Sequence, residues 1–396
     1  MKKLAIISEF NPFHNGHKFL IDECKKKTDA EIFISLMSGD FVQRGEPAII
    51  DKFTRAEVSI ANGFDLVIEI PTFISLQAAE FFAYKSVEIL NKIGIDYLAF
   101  GIERLRGEEF IKYAHILLKN RDKLEKITKV YLEKNYSFTK ARYESICSIL
   151  GRDDFISSNN ILAFEYIKAI NKINPSIEVL PIPRKLANNS ETTIRHKNYA
   201  SSTAIRNNLS SDIHNLMPES SYLEFIKHKE SYPSKNTNII FDIFRYKFII
   251  ENSPMNNILC FEDGLDNLFK KHINTCVSYD DFLTNVTSSR HTKSRIRRLV
   301  LNYILSNCVE LNYISPDFIK VLAFNKKSVE IFSSINKTMN IIMKKSDEKF
   351  LTKSNKVIYQ KMIEASNLYS IIINRNLNSD LTRKVSVCSC WFLGIL

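Results

Sequence analysis

Short apolar runs rich in β-branched residues alternate with amphipathic segments through the first 184 residues, and this alternation constrains the fold more than any other feature. In the intervening segments apolar residues recur every three or four positions, which predicts helices. Strands joined by helices of this length form βαβ units, whose strands lie parallel in one sheet. The predicted strands are residues 4–8, 31–38, 64–71, 95–101 and 176–184, and the predicted helices are residues 14–27, 53–63, 75–94, 107–150 and 159–174.

The alternation stops after residue 209. From about residue 220 the pattern is mostly helical, with one short β-like run at residues 321–325. Pro218, Pro233 and several Ser and Asn residues cluster at the transition, which is typical of a connection between domains. We therefore predict an α/β domain with a Rossmann-like parallel sheet over residues 1–210, followed by a mostly α-helical domain over residues 211–396.

The composition excludes several classes of protein. Seven cysteines occur without a C-x-x-C pair, and Cys388 and Cys390 are too close together for a usual zinc half-site, so we expect free thiols and no metal site. No run reaches the ~18 apolar residues that span a bilayer, and Ser8, Glu9 and Asn11 interrupt the apolar start of the chain. We therefore predict a cytoplasmic protein with no membrane partner.

The net charge of +11 is concentrated in the second half of the chain. Residues 201–396 contain 26 Lys and Arg against 18 Asp and Glu, a surplus of 8. Such a surplus indicates a polyanionic partner. Six basic residues crowd before an apolar helical run: Arg290, His291, Lys293, Arg295, Arg297 and Arg298. This cluster suits salt-dependent contacts with the phosphates of folded RNA, although a solvated basic helix face would have the same pattern.

The segment ISEFNPFHNGHKFL, residues 7–20, carries the strongest chemical signal. A strand ends, Asn11 and Pro12 turn the chain, and a helix begins with His14 and His17 on one face. The free N–H groups and partial positive charge of a helix N-terminus suit a phosphate, and two imidazoles there would steady charge on an α-phosphorus. Gly16 would let a ligand approach the backbone closely. The alternative is a pair of ordinary capping and core histidines.

A second segment, SSTAIR at residues 201–206, predicts another helix N-terminus. Ser201, Ser202 and Thr203 are capping residues, and free N–H groups beside Arg206 would hold the β- and γ-phosphates of a nucleotide. Taken alone, this segment is an unremarkable N-cap. It becomes specific when it is paired with H-x-G-H at the head of the same domain.

The two segments resemble the paired signatures of the nucleotidyltransferase superfamily, whose Rossmann-like domain joins a nucleoside triphosphate to a second substrate with loss of pyrophosphate. The chain is more similar still to one family, the tRNA(Met) cytidine acetate ligases. One stretch, TRKVSVCSCWFLGIL at residues 382–396, differs from the usual ending of that family. The stretches that carry the resemblance are EFNPFHNGH (9–17), MSGDFVQRGEPAIIDKFTRA (37–56), GFDLVIEIP (63–71), QAAEFFAYKSVEIL (77–90), FGIE (100–103), SNNILAFEYIKA (158–169) and ASSTAIR (200–206).

The resemblance implies a ligase that uses ATP, with Mg2+ expected, in two steps. Acetate attacks the α-phosphate to give acetyl-adenylate, and the N4 amine of the wobble cytidine of elongator tRNA(Met) then takes the acetyl group. The implied partners are tRNA(Met) and acetate, with no DNA expected. Residues 1–210 would form the nucleotidyltransferase-like ATP-binding domain, and the basic, mostly helical residues 211–396 would form the tRNA-binding domain. Two alternatives stay open: an enzyme that adenylates a small cofactor precursor, and a non-catalytic RNA-binding protein with a relic nucleotide fold.

The resemblance also implies the site residues. Catalysis would fall to His14 and His17. An asparagine of the pair Asn159 and Asn160 would contact the nucleotide, and Asn159 is preferred. The full predicted nucleotide site is Ile7, Ser8, Glu9, Phe10, Asn11, Pro12, Phe13, His14, Asn15, Gly16, His17, Lys18, Phe19, Leu20, Gly101, Asn159, Arg184, Ser202 and Arg206.

The loop after the second predicted strand holds further polar residues at the expected carboxyl edge of the sheet. Gln43, Arg44 and Glu46, with Lys52 and Arg55, would position acetate or the target cytidine, and Glu46 would assist the cytidine amine. An exposed loop with ordinary charges is the alternative.

Overall fold

The computed structural model describes residues 1–134, 136–184, 193–209 and 212–388, and an eight-stranded mixed sheet lies at the centre of this part. The strands are β1 (Lys3–Ser8), β2 (Ile32–Ser38), β3 (Phe41–Val42), β4 (Glu46–Pro47), β5 (Leu66–Ile70), β6 (Tyr97–Ile102), β7 (Glu178–Pro183), β8 (Phe318–Asn325), β9 (Asn340–Ile342) and β10 (Ser386–Cys388). The strand order in the sheet is β10-β8-β5-β2-β1-β6-β7, and β9 lies beside β8.

Five strands, β5, β2, β1, β6 and β7, form a parallel block, as the sequence predicts. All seven residues of β2 are buried, because helices cover both faces of the sheet. The chain order reverses between β1 and β6, so the carboxyl ends of these two strands frame a crevice. Open α/β sheets bind ligands at such a switch point.

Helices surround the sheet and fill most of the second half of the chain. The predicted helix 75–94 is α4, which begins only at Ala79, and the predicted stretch 107–150 is three helices. The helices are α1 (Asn15–Lys27), α2 (Lys52–Ala61), α3 (Thr72–Ser75), α4 (Ala79–Ile93), α5 (Gly107–Lys119), α6 (Arg121–Glu133), α7 (Phe138–Leu150), α8 (Ser158–Ile173), α9 (Ser202–Asn207), α10 (Glu219–Lys227), α11 (Asn238–Arg245), α12 (Leu265–Ile273), α13 (Tyr279–Val286), α14 (Lys293–Ile304), α15 (Val329–Ile335), α16 (Lys353–Ile372) and α17 (Ser379–Thr382). None of those described is long and apolar enough to cross a bilayer.

The second half of the chain also contributes to the sheet. The β-like run predicted at residues 321–325 is part of β8, which lies antiparallel to β5 with Leu66 opposite Phe324. Strands β9 and β10 pair with β8, so the sheet is mostly parallel but mixed. The sheet therefore draws strands from both sides of residue 210, and the division of the chain at that residue stays a prediction.

A buried charge cluster joins residues from the first and the second half of the chain. The Lys52 Nζ lies 2.8 Å from Glu69 Oε1, 2.8 Å from Asp380 Oδ2 and 3.4 Å from Asp40 Oδ2. Lys320 Nζ lies 3.0 Å from Glu69 Oε2 and also pairs with Asp380. These five side chains are at most 6% exposed. They tie helix α17 to the loop that follows β2.

Candidate nucleotide site

A cavity of about 280 Å³ lies at the switch point, between the carboxyl ends of β1 and β6. The end of β1, the first turn of α1, the start of α8 and the start of α9 meet around it. The predicted nucleotide-site residues that line it are Ile7, Ser8, Glu9, Phe10, Asn11, Gly16, His17, Phe19, Leu20, Gly101, Asn159, Arg184, Ser202 and Arg206.

Five predicted residues stand behind the cavity wall. Phe13 is buried against Phe10, and the Asn15 side chain donates to the carbonyls of Asn198 and Asn215. Lys18 pairs with Asp22 on its own helix. The remaining two are Pro12, in the turn, and His14. Pro12, Phe13, Asn15 and Lys18 therefore support the cavity wall, whereas His14 stacks directly on the lining residue His17.

The two histidines form a stacked pair at the N-terminus of α1, with ring centroids 3.8 Å apart. The His14 Nδ1 accepts from the Gly16 N–H at 3.0 Å, and the His17 Nδ1 accepts from the His14 N–H at 3.2 Å. Burial lowers the pKa of His14 to about 3, aided by Arg184 and Arg206, and it holds the pKa of His17 well below its usual range. Both imidazoles are therefore neutral at pH 7.

This geometry sets the tautomer of each ring. Because each Nδ1 accepts a backbone hydrogen bond, each neutral ring carries its proton on Nε2 and can donate there. The Nε2 of His14 is buried and has no hydrogen-bond partner among the described residues. The pair thus offers two N–H donors of the kind that a phosphate oxygen accepts.

Gly16 is required for a reason that the sequence did not reveal. A Cβ at Gly16 would stand 2.8 Å from the His14 Cε1. Such a contact would force the imidazole out of its stacked position. The glycine therefore protects the orientation of the histidine pair and also leaves the cavity wall open.

The segment SSTAIR contacts the turn that precedes the histidine helix. The Ser201 hydroxyl caps α9 by accepting from the Ala204 N–H at 3.0 Å. The Arg206 Nη1 donates to the Asn11 carbonyl at 2.6 Å, and Nη2 lies 3.8 Å from Glu46 Oε2. The two predicted signatures, almost 200 residues apart in the chain, are thus held against each other.

Glu103 binds two residues of the cavity lining, and the sequence analysis did not assign it to the site. Its Oε1 accepts from Asn159 Nδ2 at 2.7 Å and lies 3.3 Å from Arg184 Nη1. Asn160 is buried, and its amide bonds the Glu103 backbone N–H at 2.8 Å and C=O at 2.9 Å. Asn159 therefore faces the cavity and Asn160 fixes the chain. The position of Glu103, directly after β6, was the signal that could have found it.

Lys52 and Arg55, which lie in helix α2, do not reach the cavity. Arg55 is 1% exposed, and its guanidinium donates to the carbonyls of Glu9, Ser38, Gly39 and Ile50. Lys52 lies within the buried charge cluster. The hypothesis that these two residues contact substrate is wrong, because both are committed to the interior.

The hairpin formed by β3 and β4, residues 41–47, does reach the cavity. Gln43 and Arg44 line it, whereas Glu46 pairs with Arg297 of α14 and approaches Arg206. Gly45 has φ +72, and a Cβ there would stand 2.6 Å from the Arg298 backbone nitrogen. The hairpin therefore lies between the cavity and α14 and contacts both.

A parallel sheet with a crevice at its switch point and H-x-G-H at a helix N-terminus defines the nucleotidyltransferase class. The family model described as HIGH Nucleotidyl Transferase matches residues 1–384. A tRNA(Met) cytidine acetate ligase of Caldicellulosiruptor bescii is 34% identical over 379 residues, 94% of each chain. One of Clostridium botulinum (strain Okra / Type B1) is 32% identical over 411 residues, 98% of each chain. The chain belongs to the tRNA(Met) cytidine acetate ligase family.

Solved structures agree with this assignment. The apo form of Thermotoga maritima TmcAL superposes with a TM-score of 0.86 at 29% identity, covering 98% of this chain and 99% of that one. TmcAL of the same organism bound with alpha-thio ATP gives a TM-score of 0.85, covering 98% of this chain and 100% of that one. The predicted fold class is therefore confirmed.

Proposed function

We propose that this protein is an ATP-dependent ligase that activates acetate as acetyl-adenylate and acetylates N4 of the wobble cytidine of elongator tRNA(Met). The observation that carries the proposal is the neutral histidine pair, with its Nε2 donors at the N-terminus of α1, across the cavity from Arg206. The names of the relatives and the ATP analogue in the Thermotoga maritima structure support the same assignment.

In the first step an acetate oxygen attacks the α-phosphorus of ATP, and the bond to pyrophosphate breaks. Negative charge builds on the phosphoryl oxygens as this happens. His14 and His17 would donate to those oxygens, and Arg206 would hold the departing phosphates. Because the imidazoles are neutral donors, they stabilise the charge without giving up a proton. Glu103, through Asn159 and Arg184, would help to hold the nucleotide in place.

In the second step the cytidine N4 attacks the acetyl carbonyl carbon. An N–C bond forms, the C–O bond to AMP breaks, and the amine loses one proton to solvent water. The same oxyanion donors would hold AMP as it leaves. Mg2+ would enter with ATP, because the described residues contain no group of three His, Cys, Asp or Glu side chains that could hold a metal ion by themselves. The cytoplasmic location stays a prediction.

The proposal is tested with labelled acetate, ATP and tRNA(Met). We expect label on the tRNA and release of AMP and pyrophosphate, whereas labelled acetyl-coenzyme A without ATP gives no product. Transfer from acetyl-coenzyme A would overturn the chemistry. Pyrophosphate release with a different acid and without tRNA would favour a cofactor adenylating enzyme, and tRNA binding without ATP turnover would favour a non-catalytic protein.

The outer part of the basic cluster at the start of α14 is the proposed binding surface for tRNA phosphates. Arg290 is 74% exposed and Lys293 44%, whereas Arg297 is 20% exposed and bound to Glu46. We expect Arg290→Ala with Lys293→Ala to weaken tRNA binding and to lower the salt slope by about one for each phosphate that the variant no longer binds. Acetate-dependent turnover of ATP without tRNA should not change.

A matched control removes two exposed charges elsewhere. Lys26 and Lys27 close helix α1 at the opposite edge of the sheet, and Lys26 pairs with Glu23 much as Arg290 pairs with Glu262. Lys26→Ala with Lys27→Ala should leave the tRNA affinity and its salt slope unchanged. Equal losses of affinity in the two double variants would mean that net charge, and not this surface, governs binding.

A further inference from the structure

We propose that Arg44 anchors the carboxylate of acetate, so that the hairpin 41–47 forms the acyl subsite of the cavity. The inference rests on the proposed function and assigns a place to its second small substrate. It follows from asking which positive charge in the lining is available to a short carboxylate.

Three of the described residues that line the cavity carry a positive charge: Arg44, Arg184 and Arg206. Arg184 pairs with Glu103, and Arg206 donates to the Asn11 carbonyl beside the histidine helix. In contrast, Arg44 makes no ion pair and no side-chain hydrogen bond with the residues that the structure describes. Its guanidinium is therefore the cation whose donors are open to a substrate.

Arg44 lies on the side of the cavity where the reaction takes place. It is close enough to Glu9 and Arg206 to shift the pKa of both groups. Glu9 and Arg206 flank the H-x-G-H turn, since Glu9 precedes it and Arg206 donates into it at Asn11. A carboxylate held by Arg44 would thus stand beside the place where the α-phosphate meets the histidine pair.

Part of the cavity lining near the hairpin is apolar, which suits a methyl group. The Gln43 Nε2 donates to the Gln77 carbonyl at 3.0 Å and pins the hairpin to the start of α4. Val42, Ala79 and Phe82 line the cavity there. The subsite thus pairs a planar guanidinium, which matches a carboxylate with two parallel hydrogen bonds, with a short apolar wall.

The hairpin is braced from behind, so Arg44 is presented on a fixed support. Arg298 Nη1 donates to the Gln43 carbonyl at 3.1 Å, and the Gln43 N–H donates to Glu9 Oε1 at 2.8 Å. Gly45 gives the turn its left-handed conformation. A fixed donor lowers the entropic cost of ordering a ligand as small as acetate.

The expected kinetic signature follows from the charge balance of the step. An acetate oxygen bonds to the α-phosphorus, the bond to pyrophosphate breaks, and no proton moves. The negative charge that Arg44 meets is present in bound acetate and declines as the ester forms. Arg44 therefore contributes to binding of acetate more than to the transition state, and its removal should appear in KM and much less in kcat.

The test is exchange of labelled pyrophosphate into ATP, dependent on acetate and measured without tRNA. We expect Arg44→Gln to raise the KM for acetate about tenfold or more, because a charge-assisted pair is removed. The KM for ATP and kcat at saturating acetate should change less than about threefold. Arg44→Lys keeps the charge but not the planar guanidinium. Its KM for acetate should therefore lie between that of the unaltered protein and that of Arg44→Gln. The exposed Arg121→Gln serves as the matched control and should behave as the unaltered protein does.

Each other outcome overturns the inference in its own way. An unchanged KM for acetate would remove Arg44 from the acyl subsite. A parallel rise in the KM for ATP would place it on the phosphates, and a loss confined to tRNA affinity would make it an RNA-binding residue. If the unaltered protein shows no acetate-dependent exchange at all, with or without tRNA, the proposed function itself fails. Circular dichroism measures the folded fraction of Arg44→Gln and Arg44→Lys, and the kinetic constants of the two variants are compared at equal concentrations of folded protein.

Discussion

We expect His17→Ala to reduce acetate-dependent pyrophosphate exchange by about 10²–10³-fold, the usual effect of removing one donor to a developing oxyanion. His17 lines the cavity, and its Nδ1 is already bound to the His14 N–H, so its Nε2 proton serves the ligand. Loss of that capping bond should cost only about 1 kcal/mol of stability. Exchange kinetics and a thermal melt, taken together, separate the two effects.

His115→Ala is the matched control, since His115 is an exposed histidine of helix α5. It should change neither exchange nor melting. His14→Ala should lose activity and more stability than His17→Ala, because His14 is 1% exposed and caps α1. Near-normal exchange by the His17 variant would contradict the assignment of the site.

The second large effect concerns stability. Burial lowers the pKa of Lys52, but Asp380, Glu69 and Asp40 outweigh it and hold that pKa well above its usual range. We expect Lys52→Met to lower the free energy of unfolding by about 3–5 kcal/mol, because buried carboxylates lose their partner. Urea unfolding followed by circular dichroism measures the change.

Two further variants make this result specific to the cluster. Lys26→Met removes a lysine whose side chain is 70% exposed and paired with Glu23, and it should cost less than about 1 kcal/mol. Lys52→Met combined with Asp380→Asn removes one uncompensated carboxylate as well. The double variant should therefore lose less stability than the sum of the two single changes. Strict additivity, or a loss below about 1 kcal/mol for Lys52→Met, would contradict the role of the cluster.

Local spacing let the sequence predict much of the candidate site. A strand that ends at Ser8 and a helix that begins after His14 follow from residues within one short segment, and so does the shared face of His14 and His17. The cap at Ser201 is equally local. Four of the five parallel strands, β1, β2, β5 and β6, were predictable for the same reason, since each is a mostly buried apolar run with a helix after it.

The sequence did not predict which distant segments pair with each other. A periodic pattern shows which face of a helix or strand is buried, but it does not show which segment covers that face. Nothing in residues 318–325 indicated that they would pair with β5. Nothing in the residue types of Lys52 or Arg55 indicated that these side chains would be buried. By itself the sequence determined the chemistry of the histidine helix, which depends on neighbours along the chain. Only the tertiary structure decided that α9 meets that helix, that Glu103 holds Asn159 and Arg184, and that Arg44 reaches the cavity, because each depends on pairing across the sheet.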